Sequence, residues 1–315
     1  MIRRKEYTHV SGSDGLELSV LRIEPEDTED IKGVLQLVHG MSEHKGRYEP
    51  FMNYMAERGY ICVIHDNRGH GGSVKDPSDL GYMYEGGYEA LIEDIHEITL
   101  ETKEYAAELC PGERLPFTLL GHSMGSLAVR CYIRRYDDEP DKLCVLGCPS
   151  EMKGMTAGLA LVNLLISLEG DKAHSKLVDH IIFSGYNKRY KDEGIPNAWV
   201  NSGRREVEEY NADPLCGFGF TLNGYRNLVL LTKLCYKKDG FAMNKPELPI
   251  RFFSGGEDPC AISRGDIGNA VRLLKHAGYR DVKARMYPGM RHEILNEKKK
   301  AWVYKDIYDF IEGKE

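Results

Sequence analysis

FTLLGHSMGS, residues 117–126, sets an apolar run directly against a glycine, a serine and a second glycine. PFTLLGH reads as a strand buried on both faces, and Ser126, Leu127, Ala128 and Val129 open a helix whose small residues can pack close to a sheet. Between them, Gly121, His122, Ser123, Met124 and Gly125 make the pattern G-x-S-x-G. In a sharp strand-to-helix turn the glycines permit close backbone approaches and the serine hydroxyl is lifted clear of the sheet. The helix amino terminus also lowers the cost of negative charge beside that hydroxyl. The five-residue pattern alone is weak, because a purely structural turn would produce it too. The strand before it and the helix after it make Ser123 a candidate nucleophile.

Outward from this point, short β-rich runs alternate with longer segments of helical period, the pattern of an α/β fold with a mostly parallel sheet covered by helices. The expected strands are GVLQLVHG (33–40), YICVIHD (60–66), PFTLLGH (116–122), KLCVLGC (142–148), PIRFFSG (249–255) and DVKARMY (281–287). YTHVSGSDGLELSVLRIEP (7–25) reads as an antiparallel edge hairpin with SDG at its turn. Helices are expected over 47–59, 85–108, 126–136, 262–278 and 302–313. The rhythm breaks at 149–248, which is too long for a bare loop; its apolar stretches near 154–168 and 224–236 suggest an inserted helical cap. Core segments 1–148 and 249–315 then flank the cap.

Composition narrows the function classes. The 315-residue chain is 42% hydrophobic and 29% charged, as soluble globular proteins are. A net charge of −7 argues against a nucleic-acid partner, which needs a concentrated basic surface. KKK at 298–300 sits beside acidic residues, as on a solvated helix face. MIRRKEYTHVSGSDG has the charge of a signal peptide without the apolar stretch that must follow, so a cytoplasmic location is expected. GLALVNLLISL (158–168) is too short to span a bilayer and contains Asn163, so it reads as a buried or lipid-facing helix. Stable membrane insertion is not expected; transient contact through the cap is. Eight cysteines without a CxxC pair read as free thiols, and Cys144 and Cys148 end a strand rather than form a metal loop.

A serine at its ordinary pKa needs a histidine base and a carboxylate to hold that base. Of the 11 histidines, His292 is the best base, because it follows the last expected strand in MYPGMRHEILN. His39, His65 and His122 sit at strand ends, as structural or pocket residues, and His276 sits on a helix. The acid should leave the sheet after the preceding strand, where PIRFFSGGEDPC supplies Asp258; Glu257 and Asp266 remain alternatives, or simple helix caps. Oxyanion donors are expected from the backbone N–H of Met124, after the nucleophile, and of Met41, in the loop after VHG. Arg68, Gly69, His70 and Gly71 read as a structural loop that orders the site.

HGMSEHKGRY, HDNRGHGGS, GHSMGS, GGEDPC and YPGMRHE together resemble the monoacylglycerol lipase and lysophospholipase branch of the α/β-hydrolases, the serine aminopeptidase S33 or Hydrolase 4 type. The resemblance covers nearly the whole chain. It implies an α/β-hydrolase fold with a helical cap between the sixth and seventh core strands. It implies Ser123 as nucleophile, Asp258 as acid, His292 as base, and Met41 and Met124 as oxyanion donors. The cap carries no recognised substrate signature. LALVNLLISLEG either lines an acyl tunnel, as the cap of relatives acting on monoacylglycerols does, or packs as an ordinary helix.

The expected activity is therefore that of a serine carboxylic-ester hydrolase acting on a small acyl ester or lipid through an acyl-enzyme, with no metal or organic cofactor. A serine aminopeptidase or amidase on the same residues is the alternative, with Glu169, Glu193 or Glu208 available to bind a substrate amine. A non-catalytic ligand-binding protein has no use for all these groups together.

Overall fold

The computed structural model describes residues 1–151, 154–261 and 264–315. In chain order its elements are β1 (Ile2–Val10), β2 (Glu17–Pro25), β3 (Gly33–Val38), α1 (Glu49–Ala56), β4 (Tyr60–His65), α2 (Gly87–Leu109), β5 (Phe117–His122), α3 (Met124–Tyr132) and β6 (Lys142–Leu146). Then come α4 (Met155–Glu169), α5 (Lys176–Lys188), α6 (Arg204–Ala212), α7 (Leu222–Cys235), β7 (Ile250–Gly255), α8 (Arg264–Ala277), β8 (Val282–Tyr287) and α9 (Lys300–Glu312). All eight strands join one sheet in the order β1-β2-β4-β3-β5-β6-β7-β8. β4, β3, β5, β6, β7 and β8 pair in parallel; the β1-β2 hairpin meets β4 antiparallel. This is an α/β-hydrolase fold. The hairpin begins at Ile2 rather than Tyr7, because the charged stretch Arg3–Glu6 pairs fully with β2.

Alternation along the strands divides the core. Val34, Leu119, Val145 and Phe252 face α2, α3, α7 and α8 through Ile92, Ile95, Leu127, Leu231 and Leu274. Their neighbours Leu35, Leu120, Leu146 and Phe253 face α1 and α9 through Phe51, Met55, Val303 and Ile307. Each such side chain, fully removed from water, contributes roughly 1.5–3 kcal/mol before chain entropy is set against it. β8 departs from the buried pattern: Lys283, Ala284 and Arg285 are exposed, as an edge strand tolerates.

Between β6 and β7 the described residues hold no sheet strand. α4 and α7 fall on the two apolar stretches seen in the sequence. α5 and α6 do not; α6 carries five charged residues and buries only Val207 and Tyr210. α4 is not a buried helix. Of its side chains only Val162 is buried, while Leu164 and Leu168 are 55% and 72% exposed. It packs on α7 by one face and leaves the other uncovered.

Candidate active site

Parallel strands bring their carboxyl ends to one edge of the sheet, where crevices form outside the strand ends. Ser123 stands at the end of β5, Met41 follows β3, Asp258 follows β7 and His292 follows β8. Ser123 takes φ 53° and ψ −116°, a conformation that costs an L-residue on the order of 1–3 kcal/mol. Surrounding packing holds it there. Its N–H donates to Leu146 O at 3.0 Å, and its carbonyl accepts from Ser126 N–H at 2.9 Å as α3 begins. A Cβ added at Gly125 would lie 2.1 Å from Val38 O, so only glycine lets α3 approach β3 this closely. Within GHSMG, Ser123 alone is not fully buried.

Ser123 Oγ lies 2.8 Å from His292 Nε2, and His292 Nδ1 lies 2.9 Å from Asp258 Oδ2. Asp258 Oδ1 accepts from Cys260 N–H at 2.9 Å, which fixes the carboxylate. With Asp258 accepting at Nδ1–H, the histidine's Nε2 lone pair points at the serine hydroxyl, the tautomer that can take its proton. Trp199 lies against the His292 ring, with centroids 5.0 Å apart. Glu257, the neighbouring acid, is turned outward: Arg189 pairs with its carboxylate and its side chain is 47% exposed. The side chain of Asp266 lies outside the described residues.

Met41 and Met124 both line the cavity beside Ser123, and among the described residues neither backbone N–H has an acceptor within the chain. Gly40 sits hard against the serine, since an added Cβ there would lie 3.0 Å from Ser123 Cβ. Ser42, directly after Met41, takes φ 54° and is held from two sides: its N–H donates to His70 Nε2 at 3.2 Å and its hydroxyl to Phe218 O at 2.7 Å. His70 Nδ1–H donates in turn to Arg68 O at 3.1 Å, and burial pushes the His70 pKa down to about 3, so the ring stays neutral. The Arg68 guanidinium is anchored on Asp94 at 2.9 Å and Asp14 at 2.8 Å. The RGHG loop thus reaches the Met41 segment through the His70 ring.

The cavity these residues open into measures about 270 Å³. Its far walls come from α5 and α7, through Ile182, Phe183, Tyr186, Tyr225 and Leu228. α4 supplies none of the lining, so of the two roles open to LALVNLLISLEG it does not take that of the cavity wall, which other helices build.

A family model described as serine aminopeptidase, S33 (Hydrolase_4) matches residues 29–299. The chain belongs to this family. It is a serine hydrolase with the α/β-hydrolase fold, in the branch of the monoacylglycerol lipases. It is similar to the monoacylglycerol lipase of Mycolicibacterium smegmatis, 26% identical over 90% of this chain and 89% of that one. It is also similar to human monoglyceride lipase, 24% identical over 93% of this chain and 85% of that one. Among solved structures, a thermostable carboxyl esterase from Bacillus coagulans superposes with a TM-score of 0.87 at 24% identity, covering 98% of both chains.

In this S33 hydrolase the least legible part of the site is a buried network behind the serine. Glu43 Oε1 accepts from Gly40 N–H at 2.6 Å, from Tyr48 OH at 2.8 Å and from His122 Nδ1 at 2.9 Å, while Arg47 lies 3.3 Å from Oε2. His122 Nε2 donates to the carbonyl of His292 at 3.2 Å. With an acceptor at each ring nitrogen, His122 is an imidazolium. Against the cost of burial, Glu43 holds the His122 pKa above its ordinary value, and His122 and Arg47 hold the Glu43 carboxyl well below the usual range. The only sequence signal was the SEH of HGMSEH. His39 and His65 are buried at strand ends, and His276 bonds Arg272 O on α8, away from the cavity.

Among the described residues two groups have ligand types suited to a metal, Asp258, Cys260 and His292, and His44, Asp213 and Cys216. Hydrogen bonds already engage both. His44 Nδ1 accepts from Gly46 N–H at 3.2 Å, so its Nε2 carries the proton and donates to Asp213 at 2.9 Å, which leaves no lone pair for an ion.

Proposed function

We propose that this hydrolase cleaves carboxylic esters through an acyl-enzyme, with Ser123 as nucleophile, His292 as base and Asp258 as the group that holds the base. Ser123 Oγ bonds to the acyl carbon as its proton passes to His292 Nε2. The carbonyl oxygen, now an oxyanion, is held by the N–H groups of Met41 and Met124; losing one such donor typically costs roughly a hundredfold to a thousandfold. Collapse breaks the bond to the alcohol, which leaves with the proton from His292. Water then attacks the acyl-enzyme, giving its proton to the same histidine, and the acid departs as Ser123 regains a proton. The observation that carries this reading is the unbroken path Ser123–His292–Asp258 opening onto a largely apolar cavity.

The substrate is a small acyl ester or lipid of the monoacylglycerol or lysophospholipid type, the first being the substrate for which the two lipases above are named. Residues 149–248 act as a cap over the core formed by 1–148 and 249–315. The cap also touches lipid transiently: Leu164, Leu168, Leu177 and Ile181, four of the most exposed large apolar side chains, all stand on α4 and α5. No described helix is long and apolar enough to cross a membrane. Cytoplasmic placement belongs to the same reading, supported by eight unpaired thiols.

Aminopeptidase or amidase action is the second reading, and its named acids fit it poorly. Glu169 is exposed on α4, Glu193 pairs with Arg291, and Glu208 pairs with Arg204. The test is turnover of nitrophenyl esters of rising chain length, beside monoacylglycerols and aminoacyl arylamides, by the wild type and Ser123→Ala. Ester turnover lost in the variant supports the first reading. No ester turnover, or equal turnover by the variant, removes it, and faster cleavage of the arylamides favours the second.

A further inference from the structure

The cavity wall opposite the core carries one carboxylate that the proposed mechanism does not use. Asp179, on the first turns of α5, lines the cavity beside Ile182 and Phe183. Tyr225 OH donates to Asp179 Oδ1 and itself accepts from Phe220 N–H at 3.4 Å, so the phenol is fully occupied. Asp179 Oδ2 faces Gly219, where an added Cβ would lie 3.2 Å away, so the missing side chain leaves that oxygen room. The cavity's other acids have partners. Glu43 has His122 and Arg47, Glu293 has Arg47, and Asp258, just behind the wall, accepts from His292 Nδ1–H. Among the described residues, no lysine, arginine or histidine side chain lies within ion-pair distance of Asp179.

Asp179 is only half-buried, and its carboxylate faces the cavity, where a counter-charge gains from the surrounding apolar walls. The walls here are aromatic, with Phe183, Tyr186, Phe218 and Tyr225 all facing the cavity, and ring faces attract cations. A substrate hydroxyl would satisfy a lone pair and leave the charge; a cationic nitrogen answers both the charge and the rings. We propose that Asp179 forms a cation subsite in this cavity, which selects substrates carrying a positively charged nitrogen. The inference rests on the reading of the cavity as the ester site.

The test is calorimetric titration of the protein with phenyltrimethylammonium, benzylammonium and uncharged benzyl alcohol, beside p-nitrophenyl butyrate turnover by the same preparations. At least one cation is expected to bind about tenfold or more tightly than benzyl alcohol. Asp179→Asn should abolish that preference and Asp179→Glu should keep it. A helix-stabilising role for Asp179 would change melting temperature in the asparagine variant without touching the ratio of affinities. Stronger binding of phenyltrimethylammonium points to a quaternary headgroup and of benzylammonium to a primary amine; either supports the subsite. Equal affinities for charged and uncharged probes in the wild type, or a preference that survives Asp179→Asn, overturns it, and the wild-type comparison decides alone if the variant does not fold. Cation selectivity without ester turnover leaves the subsite standing and removes the ester reading, whereas turnover without selectivity does the reverse.

Discussion

Replacing Glu43 by glutamine tests how the site is held in shape. The carboxylate is 3% exposed and supports two cations, His122 and Arg47, as well as the Gly40 amide and the Tyr48 hydroxyl. Charge-assisted hydrogen bonds are roughly twice as strong as neutral ones, and stripping a buried charge of its partner costs about 3–5 kcal/mol. Glu43→Gln is therefore expected to cost about 4 kcal/mol, a large part of the 5–15 kcal/mol typical of a folded domain. At roughly 2–4 °C per kcal/mol, that lowers the melting temperature by ~8–16 °C. Tyr48→Phe removes one bond and leaves the charges paired, so about 1 kcal/mol is expected. The pH dependence has a definite sign. The raised His122 pKa gives stability that is complete below its ordinary 6.5 and lost as pH rises through the folded value. The lowered Glu43 pKa gives stability that is complete above its ordinary 4.5 and lost as pH falls toward the folded value. The pair therefore stabilises most between pH 4.5 and 6.5, and Glu43→Gln should flatten that maximum. Denaturant titration across this range measures both quantities. A loss below about 1 kcal/mol for Glu43→Gln, or one no larger than for Tyr48→Phe, would refute the reasoning.

Asp258→Asn should lower kcat by about 10³- to 10⁴-fold, because an amide favours the wrong histidine tautomer, while Glu257→Gln stays within a few-fold of wild type; ester kinetics check the ranking, and its reversal means the acid is Glu257. His9 hydrogen-bonds Glu101, whose pull, with that of Glu97 and against burial, raises its pKa to about 9. Its contribution to stability is complete below pH 6.5 and lost as pH climbs through about 9, so thermal melts of His9→Asn should lack that part of the wild-type decline; an unchanged slope contradicts this. Leu164→Asp with Leu168→Asp should weaken binding to phosphatidylcholine vesicles by about tenfold or more and spare turnover of soluble esters. Vesicle sedimentation gives the first number, and undiminished binding removes the lipid contact.

The sheet was legible because strands buried on both faces must be continuously apolar, and five such runs became β3 to β7, while the more polar DVKARMY became the edge strand β8. The meeting of Ser123, His292 and Asp258 was legible because each follows a strand end at the same edge of the sheet. The segment between β6 and β7 was legible only as an interruption. α6 is a charged helix with two buried residues, and α5 owes its place to contacts with Trp199 and Tyr225 that no local pattern announces. The role of LALVNLLISLEG stayed open in the sequence: apolar helices can line a cavity, pack or face outward, and sequence period does not distinguish these. Glu43 meets His122, and Asp179 meets Tyr225, across long stretches of chain, so neither pairing has a spacing to read.

Whether Ser123 is the nucleophile is tested most directly by mass spectrometry of the protein after reaction with a fluorophosphonate. The expected result is one adduct per chain, on the peptide that carries Ser123, absent in Ser123→Ala and formed far more slowly in His292→Ala. An adduct on any other residue, or equal labelling of Ser123→Ala, would contradict the assignment.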